Sequence, residues 1–309
     1  MTALASTPLA TDPPGATPAP AGLGRRRRAT GWVLTVPGLV WLGLFFALPI
    51  AALFATSLMV PVPGGDIGQF QPAVEVANYT DALGQYWPTF LRSFLYGLVA
   101  TVLALLIGYP LAYVVAVKAR RSPTVQALLL VLIIAPFFTS FILRTIAWRQ
   151  ILADEGVVVR TLQAVALLPG DGRLTATSFA VVAGLTYNFV PFMTLPIYAS
   201  LERLDLRFVE AGQDLYAGPW TTFRTVTWPL SLPGVVAGTL LTFIPASGDY
   251  VNAALLGTSR TQMVGNVIES RFFRVVDYPT AAALSFLLMA AILVLVYLYV
   301  RRSGTDELL

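Results

Sequence analysis

The sequence predicts an all-α membrane protein with six transmembrane helices. Of its 309 residues, 56% are hydrophobic and 12% are charged, whereas soluble proteins carry about 25% charged residues. Apolar runs recur that reach about 20 residues, the length that crosses a ~30 Å hydrocarbon core. The sequence has no Cys and no His, which excludes disulfides, Cys/His zinc sites and imidazole catalysis. One helical membrane domain, residues 29–309, is therefore expected.

The N-terminal segment divides into a polar tail and an apolar run. Residues 1–28 are rich in Ala, Pro and Thr and end in four Arg, so they bury too little apolar surface to offset the entropy of ordering. We predict a disordered tail there. The apolar run 32–58 is much longer than the roughly 7–15 residues of a signal-peptide core. It is therefore predicted to be an uncleaved first span.

Five further spans follow from apolar runs of suitable length. They are predicted at residues 91–117, 124–147, 179–201, 233–256 and 280–300. Between the third and fourth spans, residues 162–168 are candidates for a short re-entrant or interfacial helix.

Basic residues set the orientation through the positive-inside rule. Most of them fall on one side of the predicted spans, namely Arg25–Arg28, Lys118, Arg120, Arg121, Arg203, Arg207, Arg224, Arg301 and Arg302. The loop 60–89 on the other side holds Asp66, Glu75 and Asp81 but no Lys or Arg. Both termini are therefore predicted to be cytoplasmic.

The segment 202–232 is a polar cytoplasmic loop between the fourth and fifth predicted spans. Asp205 is a candidate N-cap for a helix over residues 207–217. Gly218 and Pro219 predict a stop and a restart, with Gly218 in the left-handed turn and the second helix ending at Pro229. An amphipathic helix that lies on lipid headgroups is the alternative interpretation.

The loop also carries a pattern with a known counterpart. E-A-G-x-D-L-x-A followed by F-x-x-V-x-x-P-L-x-x-P-G is similar to the EAA motif of ABC importer permeases, whose loop docks on an ATPase subunit. Gly212 replaces a common Ala of that motif, and Tyr216 replaces its usual Gly. GYPLAY, APFFTSFILRTIAW, YNFVPFMTLPIYASLERLD and FIPASGDYVNAALLG resemble permeases of spermidine/putrescine-type importers.

This resemblance implies a type I permease fold in a bacterial cytoplasmic membrane. It implies a second, related but different permease chain, two ATPase subunits and an extracytoplasmic substrate-binding protein, with import by alternating access. The expected ATPase-coupling residues are Glu210, Ala211, Gly212, Asp214, Leu215, Tyr216, Gly218 and Pro219. For Glu210, a favourable interaction with the helix dipole is the simpler alternative.

The chain is expected to be a transport subunit without catalysis of its own. A P-loop requires G-x-x-x-x-G-K-[ST], and the one Lys in the sequence, Lys118, is followed by Ala119. ATP hydrolysis therefore belongs to a partner subunit. We expect no cofactor, no metal and no nucleic acid.

Polar and aromatic residues inside two spans are candidates for a substrate pathway, because ionisable groups in a membrane are costly and face cavities. They are Asp249, Tyr250 and Asn252 in the fifth span and Tyr187, Asn188 and Phe192 in the fourth. A carboxylate beside a Tyr ring suits an ammonium group. The alternatives are an Asp249 that pairs with Arg144 or caps a broken helix, and aromatics that only pack.

The resulting hypothesis is a permease for a small cationic solute such as a polyamine. Two other classes stay open from the residues alone. A secondary transporter would use an ion gradient through Asp249 and would show inverted repeats. An intramembrane enzyme would need an Asp pair or a Ser/Lys dyad. Arg92, Arg144 and Trp148 are taken as structural first and as contacts to a binding protein second.

Overall fold

The computed structural model describes residues 35–170, 172–214 and 216–303. The predicted tail, residues 1–28, lies outside these ranges. The described residues divide into two units, one up to residue 53 and one from residue 54 onward. The first described helix, α1, spans Thr35–Ser57 and is apolar along its length.

The second unit begins with a short antiparallel hairpin, β1 (Val60–Pro61) and β2 (Phe70–Gln71). The helices that follow are α2 (Ala77–Tyr113), α3 (Pro123–Ile134), α4 (Phe141–Ile151), α5 (Val157–Ala164), α6 (Ser178–Glu202), α7 (Leu206–Asp214), α8 (Pro219–Thr222), α9 (Trp228–Ser247), α10 (Val251–Leu256), α11 (Val264–Glu269) and α12 (Tyr278–Ser303). Helix α2 starts well before the predicted second span and continues through tighter and wider turns to Arg121.

Within the described ranges, five helices are long and apolar enough to cross a membrane, and a bent helix pair makes up to six. The bent pair replaces the single third span predicted at 124–147. Residues 123–138 and 141–151 meet at an angle of 98°, because the extended backbone of Thr139 interrupts the helical path between them. The predicted helical character of the chain is confirmed, whereas the count of six stays a prediction.

The fifth span also differs from its predicted path. The helix runs without interruption from Pro219 to Ser247, so Pro229 does not end it. The wide π turn Phe223–Thr227 immediately precedes this proline and changes the hydrogen-bond register where its ring would otherwise clash. Pro245 lies within the helix as well, and the break comes at residues 248–250.

The loop between α4 and α6 contains one helix, α5, which ends at Ala164. This helix begins before the predicted stretch 162–168. Gly156 precedes it in an extended conformation, which starts the helix there. The loop is tied together by ion pairs at its surface, such as Arg173 with Asp154 at 3.3 Å.

The core of the second unit lies where α2, α6 and α9 pack against one another. Its buried side chains include Met193, Ile197 and Leu201 of α6, which meet Ala104 and Ala112 of α2. The small residues of α2 let the two backbones approach closely, as is usual between membrane helices.

Two glycines of α9 bring this helix onto α6. A Cβ atom at Gly234 would lie 2.6 Å from the carbonyl oxygen of Pro196, and one at Gly238 would lie 2.9 Å from that of Met193. Both distances are too short for any side chain. Because the obstructing atoms are backbone, α6 and α9 are locked in register at this contact.

Candidate coupling segment and translocation site

The segment from Asp205 to Trp228, here called the elbow, joins α6 to α9. Oδ1 of Asp205 accepts the backbone N–H of Arg207 at 3.0 Å, which makes Asp205 the N-cap that the sequence predicts. Helix α7 follows and ends at Asp214. Leu215, a predicted coupling residue, lies outside the described ranges.

Tyr216 forms the turn between α7 and α8. Its φ of 59° is left-handed, while Gly218 is extended at φ −64° and ψ 161° and serves as the N-cap of α8. The sequence assigned the left-handed turn to Gly218, and this assignment is wrong. Tyr216 occupies the position at which the EAA motif usually has Gly, and that position is the one that needs positive φ.

Gly212 is where α7 packs on α8. A Cβ at this position would lie 3.3 Å from Cγ2 of Thr222, which is itself buried. Its small size thus allows close contact between α7 and α8. The neighbouring predicted coupling residues are solvent-exposed, namely Glu210, Ala211, Asp214, Gly218 and Pro219.

Large aromatic side chains of the elbow are also exposed. The exposed fraction is 98% for Tyr216, 72% for Trp220 and 59% for Phe208. The Trp220 ring stacks on Phe223 at 5.4 Å, so the exposed indole is held in place. Exposed aromatics of this kind, beside carboxylates, are typical of a protein-binding surface.

The base of the elbow is fixed to the membrane helices. Nη1 of Arg120, in the turn after α2, donates to the carbonyl of Leu204 at 3.1 Å. Tyr109 of α2 shares a 2.8 Å hydrogen bond with Ser231 and packs against Trp228 at 5.2 Å. The elbow is therefore anchored to both α2 and α9.

Three polar side chains from separate helices meet in the interior and are here called the amide cluster. They are Thr145 of α4, Asn188 of α6 and Asn252 of α10, all 0% exposed. Nδ2 of Asn188 donates to Oγ1 of Thr145 and to Oδ1 of Asn252, each at 3.1 Å. This cluster holds both interrupted spans against α6.

The amide cluster leaves two of its polar atoms unused. Oδ1 of Asn188 and Nδ2 of Asn252 are buried and find no hydrogen-bond partner within the described part of the chain. Each such group costs about 1–3 kcal/mol.

Asp249 lies in the break between α9 and α10 and is 8% exposed. Its Oδ1 accepts the backbone N–H of Asn252 at 2.7 Å, which caps the first turn of α10. Nδ2 of Asn266 donates to the Tyr250 carbonyl at 2.7 Å, and Gly265 lies against the Gly248 carbonyl. The break is thus a built structure held from α11.

The other predicted pathway residues make no side-chain hydrogen bond to the amide cluster within the described ranges. Tyr187 packs edge-on against Trp148 at 5.3 Å, and Phe192 meets Phe137 at 4.9 Å. The Tyr250 side chain is half-exposed. The structure therefore joins Asn188 to Asn252 and Asp249 but assigns Tyr187 and Phe192 to aromatic packing.

Arg144 does not pair with Asp249. No ion pair involving either residue occurs among the described side chains. The Arg144 guanidinium lies 5.7 Å from the Phe141 ring centre. Its Nε and Nη1 atoms are buried, without a hydrogen-bond partner in the described ranges.

The helices that carry these residues match a known family. Residues 104–303 match the binding-protein-dependent transport system inner membrane component family, which covers most of the chain. The chain belongs to this family. As a member of the inner membrane component family, it is a multi-pass component of an ABC transport system that works with a binding protein.

Curated relatives of this inner membrane component cover nearly the whole chain. The spermidine/putrescine transport system permease protein PotB of Haemophilus influenzae is 34% identical over 85% of this chain and 90% of its own length. The protein of the same name from Escherichia coli K12 is 33% identical over 88% of this chain and 96% of its own length.

Solved structures share the fold of this inner membrane component at low sequence identity. A bacterial ABC transporter involved in the import of the acidic polysaccharide alginate gives a TM-score of 0.67 at 16% identity, covering 92% of this chain and 98% of that chain. A second alginate transporter structure, with a pentasaccharide-bound periplasmic protein, gives 0.60 at 16% identity, covering 91% and 96%. The predicted permease fold is thereby confirmed.

The sequence-based predictions did not include Thr145 and Asn266 among the site residues. Both are isolated polar residues in apolar surroundings, which is the signal that could have found them. For Thr145 this signal is weak, because a Thr hydroxyl in a membrane helix ordinarily bonds to its own backbone. It does so here as well, donating to the Phe141 carbonyl at 3.1 Å.

Replacement of Tyr216 tests whether its backbone is strained. A left-handed non-Gly residue costs about 1–2 kcal/mol, and Gly relieves this at some entropic cost of its own. We expect Tyr216→Gly to raise the free energy of unfolding of the purified protein by about 1 kcal/mol or less. Tyr216→Ala, which keeps the Cβ, is expected to leave the free energy of unfolding unchanged. Equal stabilisation by both variants would assign the effect to the exposed ring instead.

Two variants of Asp249 test its role as a cap. Asp249→Ala removes the acceptor for the Asn252 N–H and is expected to lower the free energy of unfolding by about 0.5–2 kcal/mol. Asp249→Asn keeps an acceptor oxygen and is expected to match the parent protein in a thermal unfolding assay in detergent. Equal losses in the two variants would show that the charge, rather than the cap, stabilises the break.

Proposed function

We propose that the chain is a permease subunit of an ATP-driven importer that forms half of the pathway for a polyamine such as spermidine or putrescine. The observation that carries the proposal is the similarity to two spermidine/putrescine permeases over 85% and 88% of the chain. The elbow adds a structural reason, because it presents exposed carboxylates and aromatics on a rigid base.

The elbow is proposed as the docking surface for the ATPase subunits. Its exposed residues Glu210, Ala211 and Asp214 lie on α7, while Tyr216 lies in the turn before Gly218 and Pro219. The sequence has no P-loop, so hydrolysis belongs to the partner and the elbow receives its motion. Two ATPase subunits, one for each of two related permease chains, complete the membrane assembly.

The helix from Pro219 to Ser247 provides the path for that motion. It is 29 residues long, or about 44 Å at 1.5 Å per residue, which spans the bilayer. One end of this helix lies in the elbow, and the other end reaches the break that contains Asp249. A displacement at the ATPase therefore reaches the break through one continuous helix.

The pathway is proposed to run past the break. Asp249 offers a carboxylate of the sign that an ammonium substrate requires, and the exposed Tyr250 ring lies next to it in the chain. In this arrangement, the amide cluster of Asn188, Asn252 and Thr145 positions the break rather than touching the substrate. With the Arg-rich ends in the cytoplasm, an extracytoplasmic binding protein delivers the substrate from the opposite side.

Charge reversal at Glu210 tests the coupling role. A charge of the wrong sign in a docked interface costs about 2–5 kcal/mol, so we expect Glu210→Arg to lower ATP-dependent spermidine uptake in proteoliposomes at least about tenfold. Asp81→Arg is the matched control, since it reverses an exposed carboxylate on α2, far along the chain from the elbow. Uptake by Glu210→Arg at the level of the control would contradict docking through this residue.

The Asp249→Asn variant also serves as a test of the pathway. Since its helix cap is expected to survive, a loss of spermidine uptake at normal thermal stability would show that the negative charge contacts the substrate. Uptake equal to that of the parent protein would limit Asp249 to its capping role.

A further inference from the structure

A polar cleft lies beside the helix break, and it shares only Asn266 with the site described above. Its volume is about 240 Å³, and it is lined by Ala253, Ala254, Gly257, Thr258, Ser259, Gln262, Asn266, Glu269, Ser270 and Arg274. Pockets for whole drug-sized ligands measure about 300–1,000 Å³. The cleft therefore fits one end of an elongated molecule.

Several lining groups are already committed to the fold. Asn266 uses its side chain on the Tyr250 carbonyl and on the Met263 N–H. The Gln262 carbonyl accepts from Arg92 at 3.0 Å, which ties this wall to α2. These bonds hold the cleft in shape next to the break.

Other lining groups remain available as hydrogen-bond acceptors. The hydroxyls of Ser259 and Ser270 and the side-chain amide of Gln262 make no hydrogen bond within the described ranges. A primary ammonium has three N–H donors, like that of Lys. Oxygen acceptors around one carboxylate are the environment that such a group requires.

Glu269 supplies the carboxylate, and Arg274 opposes it. They form an ion pair at 3.7 Å, with side-chain exposures of 30% for Glu269 and 74% for Arg274. A pair this long and this exposed contributes little stability. Glu269 and Arg274 are the charged residues that line the cleft, so the guanidinium is the natural competitor for any cation that binds Glu269.

We infer that this cleft binds one terminal ammonium group of the transported cation, which displaces the Arg274 guanidinium from Glu269. The inference rests on the proposed function and assigns a binding site that the substrate occupies before it passes the break. The exposed Arg274 swings into solvent, while the less exposed Glu269 stays at the cleft wall. An exchange of one cation for another keeps the carboxylate paired throughout and avoids the cost of an uncompensated charge.

Paired variants with opposite expected effects test the exchange. The measurement is equilibrium binding of radiolabelled spermidine to the assembled transporter in nanodiscs, without binding protein. Glu269→Gln removes the counter-charge and is expected to weaken binding about fivefold, whereas Arg274→Gln removes the competitor and is expected to strengthen binding about threefold, as suits a partly exposed charge pair. A pair with only a structural role would make the two variants change binding in the same direction or not at all.

The ion pair of Glu155 with Arg160 provides the control. The charged atoms of this pair are also 3.7 Å apart, and both side chains are exposed. Because neither residue lines the cleft, the Glu155→Gln and Arg160→Gln transporters are expected to bind spermidine with the affinity of the parent. Opposite shifts in this control pair would overturn the inference, because a general effect of surface charge would then explain both.

Two further outcomes separate the explanations. The parent transporter could show ATP-dependent spermidine uptake while Glu269→Gln and Arg274→Gln both bind spermidine with the affinity of the parent. In that case the inference is wrong and the proposed function stands. If the parent transporter takes up no spermidine, the proposed function itself fails. Loss of affinity for the binding protein in both variants, with spermidine binding unchanged, would make the cleft a docking surface and overturn the inference.

Discussion

The contact of α6 with α9 is the constraint on which the rest of the architecture depends. At Gly234 and Gly238, the backbone of α6 occupies the space that a side chain would need, so the two helices keep one register. Because α9 continues from the elbow without a break, this register links a surface outside the membrane to the break at residues 248–250. In the proposed coupling role, this packing would carry a displacement at the elbow to the polar residues of the break.

The polar interior of the second unit contains carboxylates at and beside the helix break. A transporter involved in the import of an acidic polysaccharide shares the fold of this chain. Here the break carries Asp249, and the adjoining cleft carries Glu269. Under the proposed function, these two carboxylates supply the negative charge that a cation requires, while the amide cluster keeps the short helix α10 in place.

The sequence predicted features that depend on composition and local chemistry, and it missed those that depend on tertiary contacts. Span lengths follow from apolar runs, and the Asp205 cap follows from its position before α7. The path through Pro229 was mispredicted because the π turn that accommodates it leaves no local signal. The left-handed turn was predicted at Gly218 because Gly is the residue that ordinarily adopts positive φ, whereas the structure has it at Tyr216.

Nucleotide-dependent cross-linking at the elbow tests the central claim most directly. The chain has no Cys, so Glu210→Cys and Asp81→Cys each introduce a single reactive thiol. Each of these variants is combined with a set of single-Cys ATPase variants and treated with a short bifunctional thiol reagent. The account predicts cross-links from residue 210 whose yield changes when ATP is bound, and no cross-links from residue 81. Equal cross-linking from both positions, or none from residue 210 with any ATPase variant, would contradict it.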